Sequence, residues 1–276
     1  MSCLRVFLLS LILILPLITM AEEPPAAAGG EDLRAKTQNP VGAMISLPFK
    51  NSWDYGAPNG TAYFLNIQPV IPQTVGEWNL IHRVIAPIIS IDGPVVGRPE
   101  IPVGTPGDGA TGLGDINYST YLSPAEPGRW IWGVGPSLMM RTATDEQLGS
   151  GKWSLGPTAV VLTQPKPWTI GLLGRQLWSI AGDDSRPDVN QLLLEPFINY
   201  NLANGWYLIT DMVITSNWKA PDGNQWTVPL GGGVGKIFNI GKQAMNTRIE
   251  AYSNVEKPEG APDWVLSWTL QFLFPR

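Results

Sequence analysis

Between Asp263 and Pro275 the chain alternates without a break, placing Trp264, Leu266, Trp268, Leu270, Phe272 and Phe274 on one face and Val265, Ser267, Thr269, Gln271 and Leu273 on the other. A period of two sustained over this length describes a strand that separates two environments. In a water-soluble sheet the apolar face lies on a core, strands are modest in length and tryptophan is sparse. Here the apolar face is aromatic and long enough to cross hydrocarbon, while Ser267, Thr269 and Gln271 suit a polar lumen. The stretch therefore predicts an all-β fold, a transmembrane antiparallel up-and-down β-barrel.

The composition supports a bilayer over water. Charged residues make up 15% of the chain, against about 25% in an ordinary soluble domain. The 12 tryptophans, 30 glycines and 26 prolines supply interfacial anchors and turns for many strands. After the N-terminus no run approaches the roughly 20 apolar residues of a spanning helix. The net charge is −5 and no basic run is present to follow a phosphate backbone, so nucleic acid is excluded as a partner.

Arg5, the apolar run Val6 to Ile18 and the small residues Thr19 and Ala21 form a secretory signal over residues 1–21. Cys3, the single cysteine, lies inside it, so a mature chain would have no disulfide, no thiol nucleophile and no cysteine-bound metal. Residues 22–38 read as a periplasmic linker in which Glu31 to Gln38 suits two helical turns, lying in the periplasm or folded into the lumen. The barrel is expected over 39–276.

From Val41 onward, turn clusters divide the chain into about 12 strands, near 41–54, 61–72, 78–90, 112–122, 129–141, 153–163, 168–180, 191–202, 206–219, 225–238, 243–255 and 263–275. Short links such as Ala203-Asn204-Gly205 follow the even-numbered runs, and most of the longer ones follow the odd-numbered runs, as expected of periplasmic turns and outer loops. Tryptophans mark both ends. Trp78, Trp130, Trp168 and Trp206 follow the short turns, whereas Trp53, Trp153, Trp178, Trp218, Trp226 and Trp264 border the outer loops. Trp206 and Trp218 share a face, and at about 3.3 Å per residue with a tilt near 45° they stand roughly 28 Å apart along the membrane normal, the height of the apolar band.

Parity within each strand assigns the charges to the lumen, where they avoid meeting hydrocarbon at a cost of a few kcal/mol. The lumen-facing candidates are Arg83, Asp115, Asn117, Arg141, Arg175, Glu195, Asp211, Arg248 and Glu250. For any one of them, pairing across the lumen to hold the wall rigid is the commoner role. Leu173, Phe197, Ile209, Val213 and Tyr252 share that face, so a narrow lumen of mixed polarity is expected.

The motifs Asn66-Ile67-Gln68-Pro69-Val70-Ile71-Pro72, Gly112-Leu113-Gly114-Asp115, Trp130-Ile131-Trp132-Gly133-Val134-Gly135-Pro136, Arg186-Pro187-Asp188-Val189-Asn190-Gln191 and Phe272-Leu273-Phe274-Pro275 resemble the MetA-pathway of phenol degradation family. The resemblance runs from about Asn39 to Pro275 and implies an outer-membrane barrel of a Gram-negative bacterium that passes hydrophobic or aromatic solutes. The partners so implied are membrane lipid, lipopolysaccharide, a small-molecule solute and the barrel assembly machinery. The family carries no catalytic motif, cofactor or defined ligand site to transfer.

Other signals are weaker. Gly107 to Gly114 lacks the following helix and lysine of a phosphate loop, and Gly231-Gly232-Gly233 marks a bend or room in the lumen. The acidic pairs Asp145-Glu146 and Asp183-Asp184 are candidates for bridging lipopolysaccharide through divalent cations, with plain loop charge the commoner explanation. A barrel hydrolase needs a histidine beside a nucleophile, yet the single histidine, His82, shares the outward parity of Trp78 and Leu80. A structural or adhesive barrel remains the rival to a passive channel. The longest connection, Ile91 to Thr111, carries Val95, Val96, Ile101 and Val103 and is expected to fold over or into the lumen mouth.

Overall fold

The computed structural model describes residues 29–101 and 107–275, with side chains from 33 onward; the signal segment 1–21, the linker as far as residue 28 and Val103 lie outside the described residues. Helix α1 spans Gly29–Thr37, and 15 strand segments follow. These are β1 (Ile45–Tyr55), β2 (Ala62–Ile67), β3 (Val70–Val75), β4 (Trp78–Ile91), β5 (Ala110–Leu113), β6 (Ile116–Pro124), β7 (Ile131–Met140) and β8 (Lys152–Thr163). The remainder are β9 (Trp168–Gly182), β10 (Asn190–Asn201), β11 (Trp206–Asp211), β12 (Ile214–Asn217), β13 (Trp226–Ile240), β14 (Gln243–Glu256) and β15 (Trp264–Phe274). Because β2 and β3, β5 and β6, and β11 and β12 are halves of single wall strands, the wall has twelve strands, all antiparallel. β1 pairs with β15 from Ile45↔Phe274 to Tyr55↔Trp264, which closes the barrel and leaves no open edge.

Local chemistry explains the three breaks. Pro69 lacks the N–H that would continue β2 into β3. Asp115 leaves the ladder between β5 and β6 to collect backbone donors from an outer loop. At the end of β11 the Asp211 amide donates to the Tyr252 hydroxyl instead of to a neighbouring strand. The inner turn between β10 and β11 holds Asn204 and Gly205 at φ 53° and 77°, the left-handed pair that a two-residue hairpin needs.

The outer surface carries an apolar belt, with Leu122, Leu172, Leu208, Leu230 and Ile249 all exposed. Trp78, Trp130, Trp168 and Trp206 are exposed at one rim and Trp153, Trp178, Trp218 and Trp264 at the other, forming the two girdles. Among the described residues no helix is long and apolar enough to cross a membrane; the strands do the crossing.

The first predicted strand began four residues too early. Val41 turns inside the barrel, its amide donating to Asn39 Oδ1 at 3.0 Å, and ladder pairing starts only at Ile45.

Candidate lumen site

The inner end is filled by the N-terminal segment. Leu33 packs against Met44, Tyr207, Ile237, Ala244 and Leu273, while Val41 is buried among Ile81, Tyr121, Leu162, Leu173 and Phe197. Gly133 makes room for Val41, whose Cγ1 would lie 2.9 Å from any added Cβ. Neutral hydrogen bonds hold the rest: Gln38 Nε2 donates to Asn201 Oδ1 at 2.9 Å, Thr169 Oγ1 to Gln38 Oε1 at 2.8 Å, and Gln164 Nε2 to the Ala35 carbonyl at 2.8 Å. Arg34 donates to the Leu202 carbonyl.

The outer end is closed by the connection after β4. Val95 and Ile101 are buried with Ala62, Phe64, Ile89, Ile91 and Leu148. Gly97 reaches the far side of the mouth, where an added Cβ would stand 2.7 Å from Thr227 Oγ1, and its φ of 79° is one a side chain resists. Arg98 pins the segment: its guanidinium lies 3.5 Å from Asp54 Oδ1 and 3.3 Å from Glu100 Oε2, with its carbon 4.2 Å from the centre of the Phe64 ring. Glu100 Oε1 accepts from Asn66 Nδ2 at 2.7 Å. Burial pushes the Glu100 carboxyl up, but Arg98 and the Asn66 hydrogen bond together hold it below the usual glutamate range.

Against the plug lies a cavity of about 150 Å³, lined in part by Thr37, Gln38 and Asn39. Its apolar lining includes Met44, Leu173, Phe197 and Ile209, and its charged lining includes Lys50, Arg83, Glu195, Asp211 and Arg248. One wall is a closed network. Arg248 Nη2 meets Asp211 Oδ2 at 2.8 Å and its Nε meets Glu250 Oε2 at 2.9 Å, while Tyr252 donates to Glu250 Oε1 at 2.8 Å. Tyr252 also accepts the Asp211 amide at 2.8 Å, and Tyr207 donates to Asn246 Oδ1 at 2.7 Å. Both phenols reach over β13 where it is glycine, at the positions of Gly231 and Gly235. An added Cβ at Gly235 would lie 2.1 Å from the Tyr207 ring. The glycine run makes room in the lumen for the protein's own tyrosines.

The predicted lumen residues separate by what they touch. Arg83, Glu195, Asp211 and Arg248 line the cavity. Glu250 is buried behind Arg248. Asn117 is tied to Ser137 Oγ at 2.9 Å and Arg175 to Gln191 Oε1 at 3.4 Å. Asp115 is buried but faces backbone, its two oxygens accepting the amides of Thr142, Ala143 and Ser150 at 3.1, 3.2 and 2.7 Å. Arg141 departs from the expectation: it follows the end of β7, is half exposed and meets Asp183 at 3.7 Å outside the lumen. Lys50, Asp54, Arg98 and Glu100 were not among the predicted residues. Lys50 and Asp54 share the parity of Ser46 and Ser52 in β1, which is the signal that identifies them.

In the outer loops, Asp145 Oδ1 caps a turn by accepting the Gln147 amide at 2.9 Å and Asp183 accepts from Ser185. Among the described residues no cluster of three His, Cys, Asp or Glu suits a metal ion. His82 Nδ1 lies 2.7 Å from the Tyr118 hydroxyl on the outward face.

A closed antiparallel barrel with an apolar belt, two tryptophan girdles and a charged interior is a membrane-spanning barrel, a protein of the outer membrane of a Gram-negative bacterium. Among solved structures it is similar to an outer membrane channel from Pseudomonas putida F1, with TM-score 0.63 and 17% identity over 86% of this chain and 97% of that one. Outer membrane phospholipase A from Escherichia coli aligns at TM-score 0.44 and 11% identity, covering 93% of this chain and 95% of that one. No family model matches the sequence. No curated protein matches it either.

Proposed function

We propose that this protein is a passive channel for small, hydrophobic or aromatic solutes, normally shut at both ends. The observation that carries this reading is the interior cavity of about 150 Å³ beside an N-terminal segment that is no part of the wall, with the connection after β4 packed inside the outer end. A barrel needed only for rigidity has no reason to keep an interior cavity, since a filled core is denser and more stable. The similarity to an outer membrane channel supports the same reading. Lipopolysaccharide, the assembly machinery and the secretory signal over residues 1–21 belong to this proposal as partners and route.

The hydrolase alternative requires a base beside a nucleophile in the lumen or at the outer rim. His82, the single histidine, instead bonds Tyr118 on the lipid-facing side of the wall. The test is conductance in planar bilayers together with uptake of a neutral aromatic solute into liposomes. Discrete openings and uptake above protein-free vesicles are expected. Electrical silence together with uptake no faster than in empty vesicles would favour a structural or adhesive barrel.

A further inference from the structure

The charges facing the cavity are not evenly balanced. Arg248 is saturated by Asp211 and Glu250, and Glu100 is held by Arg98 and Asn66. Among the described residues, Lys50 makes no hydrogen bond or ion pair, and the guanidinium of Arg83 reaches only the neutral Gln68 Oε1, at 3.3 Å. Arg175 lies within electrostatic reach of Arg83, its Nη2 3.4 Å from the neutral Gln191. Glu195 is the one remaining carboxylate near these cations, and it sits beside Asp211 without meeting Lys50 or Arg83 within 4.0 Å. Asn199, 3% exposed, lines the same space and bonds no described residue. Lys50, with no carboxylate within 4.0 Å, and Arg83, bonded only to a neutral amide, leave positive charge that an anion settles.

Part of the remaining lining is apolar, beside neutral polar groups such as Asn199 and Gln271. Leu173, Phe197 and Ile209 face the same space, and its volume of about 150 Å³ equals that of an engineered cavity known to hold benzene. We infer that the cavity is a binding site for a small aromatic monocarboxylate, the carboxylate taken by Lys50 and Arg83 and the ring laid against Phe197, Leu173 and Ile209. This names the solute class of the channel proposed above and rests on that reading for its transport role, though not for binding.

Equilibrium binding of benzoate to the detergent-purified protein tests the site directly, with benzyl alcohol as a neutral probe of the same shape. Benzoate is expected to bind at least about tenfold more tightly than the alcohol, the scale of one charge-assisted hydrogen bond. The double variant Lys50→Gln, Arg83→Gln should lose that preference while keeping its affinity for the alcohol, and Lys50→Arg with Arg83→Lys should restore it. A heat-shifted gel mobility checks that each variant is folded. Equal affinity for the two probes, or an equal loss for both in the double variant, overturns the assignment. Labelled benzoate uptake into liposomes separates the two proposals: binding without uptake keeps the site and removes the channel, and uptake without charge preference does the reverse.

Discussion

The two ends of the lumen are stopped by different physics. The inner plug is held mainly by neutral amide and hydroxyl hydrogen bonds from Gln38 and Gln164 and by the apolar contacts of Leu33 and Val41, with Arg34 on the Leu202 carbonyl as its charged contact to the wall's turn. The outer cap is fixed by buried ions, Arg98 between Asp54 and Glu100, over an apolar seat. Neutral contacts are each weak and change little with pH or salt, whereas removing one member of a buried ion cluster strands the others. The cap is therefore the end that solution conditions and single charge changes can release, and the plug is the end that yields only when many contacts go together.

The sharpest break comes from removing one stopper whole. Deleting residues 29–38 in an Arg98→Ala background, where the cap is also released, should raise single-channel conductance several-fold over Arg98→Ala alone, because α1 and Gln38 leave the lumen while the ladder, which begins at Ile45, stays intact. An unchanged conductance in a heat-modifiable barrel would deny the segment any plugging role.

Next in size is Arg98→Ala, which leaves Asp54 and Glu100 buried without a cation, at about 3–5 kcal/mol against the docked cap. Maleimide labelling of a Val95→Cys reporter should then become fast in the Arg98→Ala background and remain slow otherwise, since Val95 is buried in the native cap.

The pH effect is smaller and one-sided. Glu100 has its carboxyl held below the usual range, so its contribution to the docked cap is fully present above about pH 4.3 and is lost as pH falls through the depressed value. Normalised to a free thiol at the same pH, Val95→Cys labelling should not rise on going from about pH 8 to about pH 5 and should accelerate only in stronger acid. A normalised rate that does not rise in strong acid would contradict the sign. Smallest is Gln38→Ala, which removes neutral bonds worth about 1 kcal/mol each. It should loosen the plug slightly, measured as more frequent brief openings, with no pH dependence over the same range.

Much of the wall was legible because a membrane barrel writes each strand twice, once in alternation and once in the tryptophan at its rim. Trp206 and Trp218 mark both limits of one wall strand, yet the break at Met212 and Val213 inside it carries no signal of period two. The lumen was legible only as a direction. Parity turned Asp115 and Arg248 inward alike, but whether a carboxylate meets loop amides or a guanidinium depends on which outer loop folds back over it. The same limit applied to Arg98 and Glu100, whose connection has no periodicity of its own. Its valines and isoleucine announced burial, and the residues that pin it became visible only with the fold.

The phenols that cross β13 also constrain how the wall is assembled. Tyr207 lies over β13 from one neighbouring strand and Tyr252 from the other, in opposite directions. A two-residue slip of β13 outward from this glycine run carries Tyr207 onto Ile237 or Tyr252 onto Pro229, because Gly231, Gly233 and Gly235 are followed on the same face by those side chains. Register in this quarter of the wall is thus locked by two pawls facing opposite ways, and each can drop only after the strand beyond β13 has arrived. A nascent barrel that has paired β13 with β14 but not yet with β11 has neither tyrosine seated, and a misaligned hairpin can still slide back and be corrected before β11 arrives.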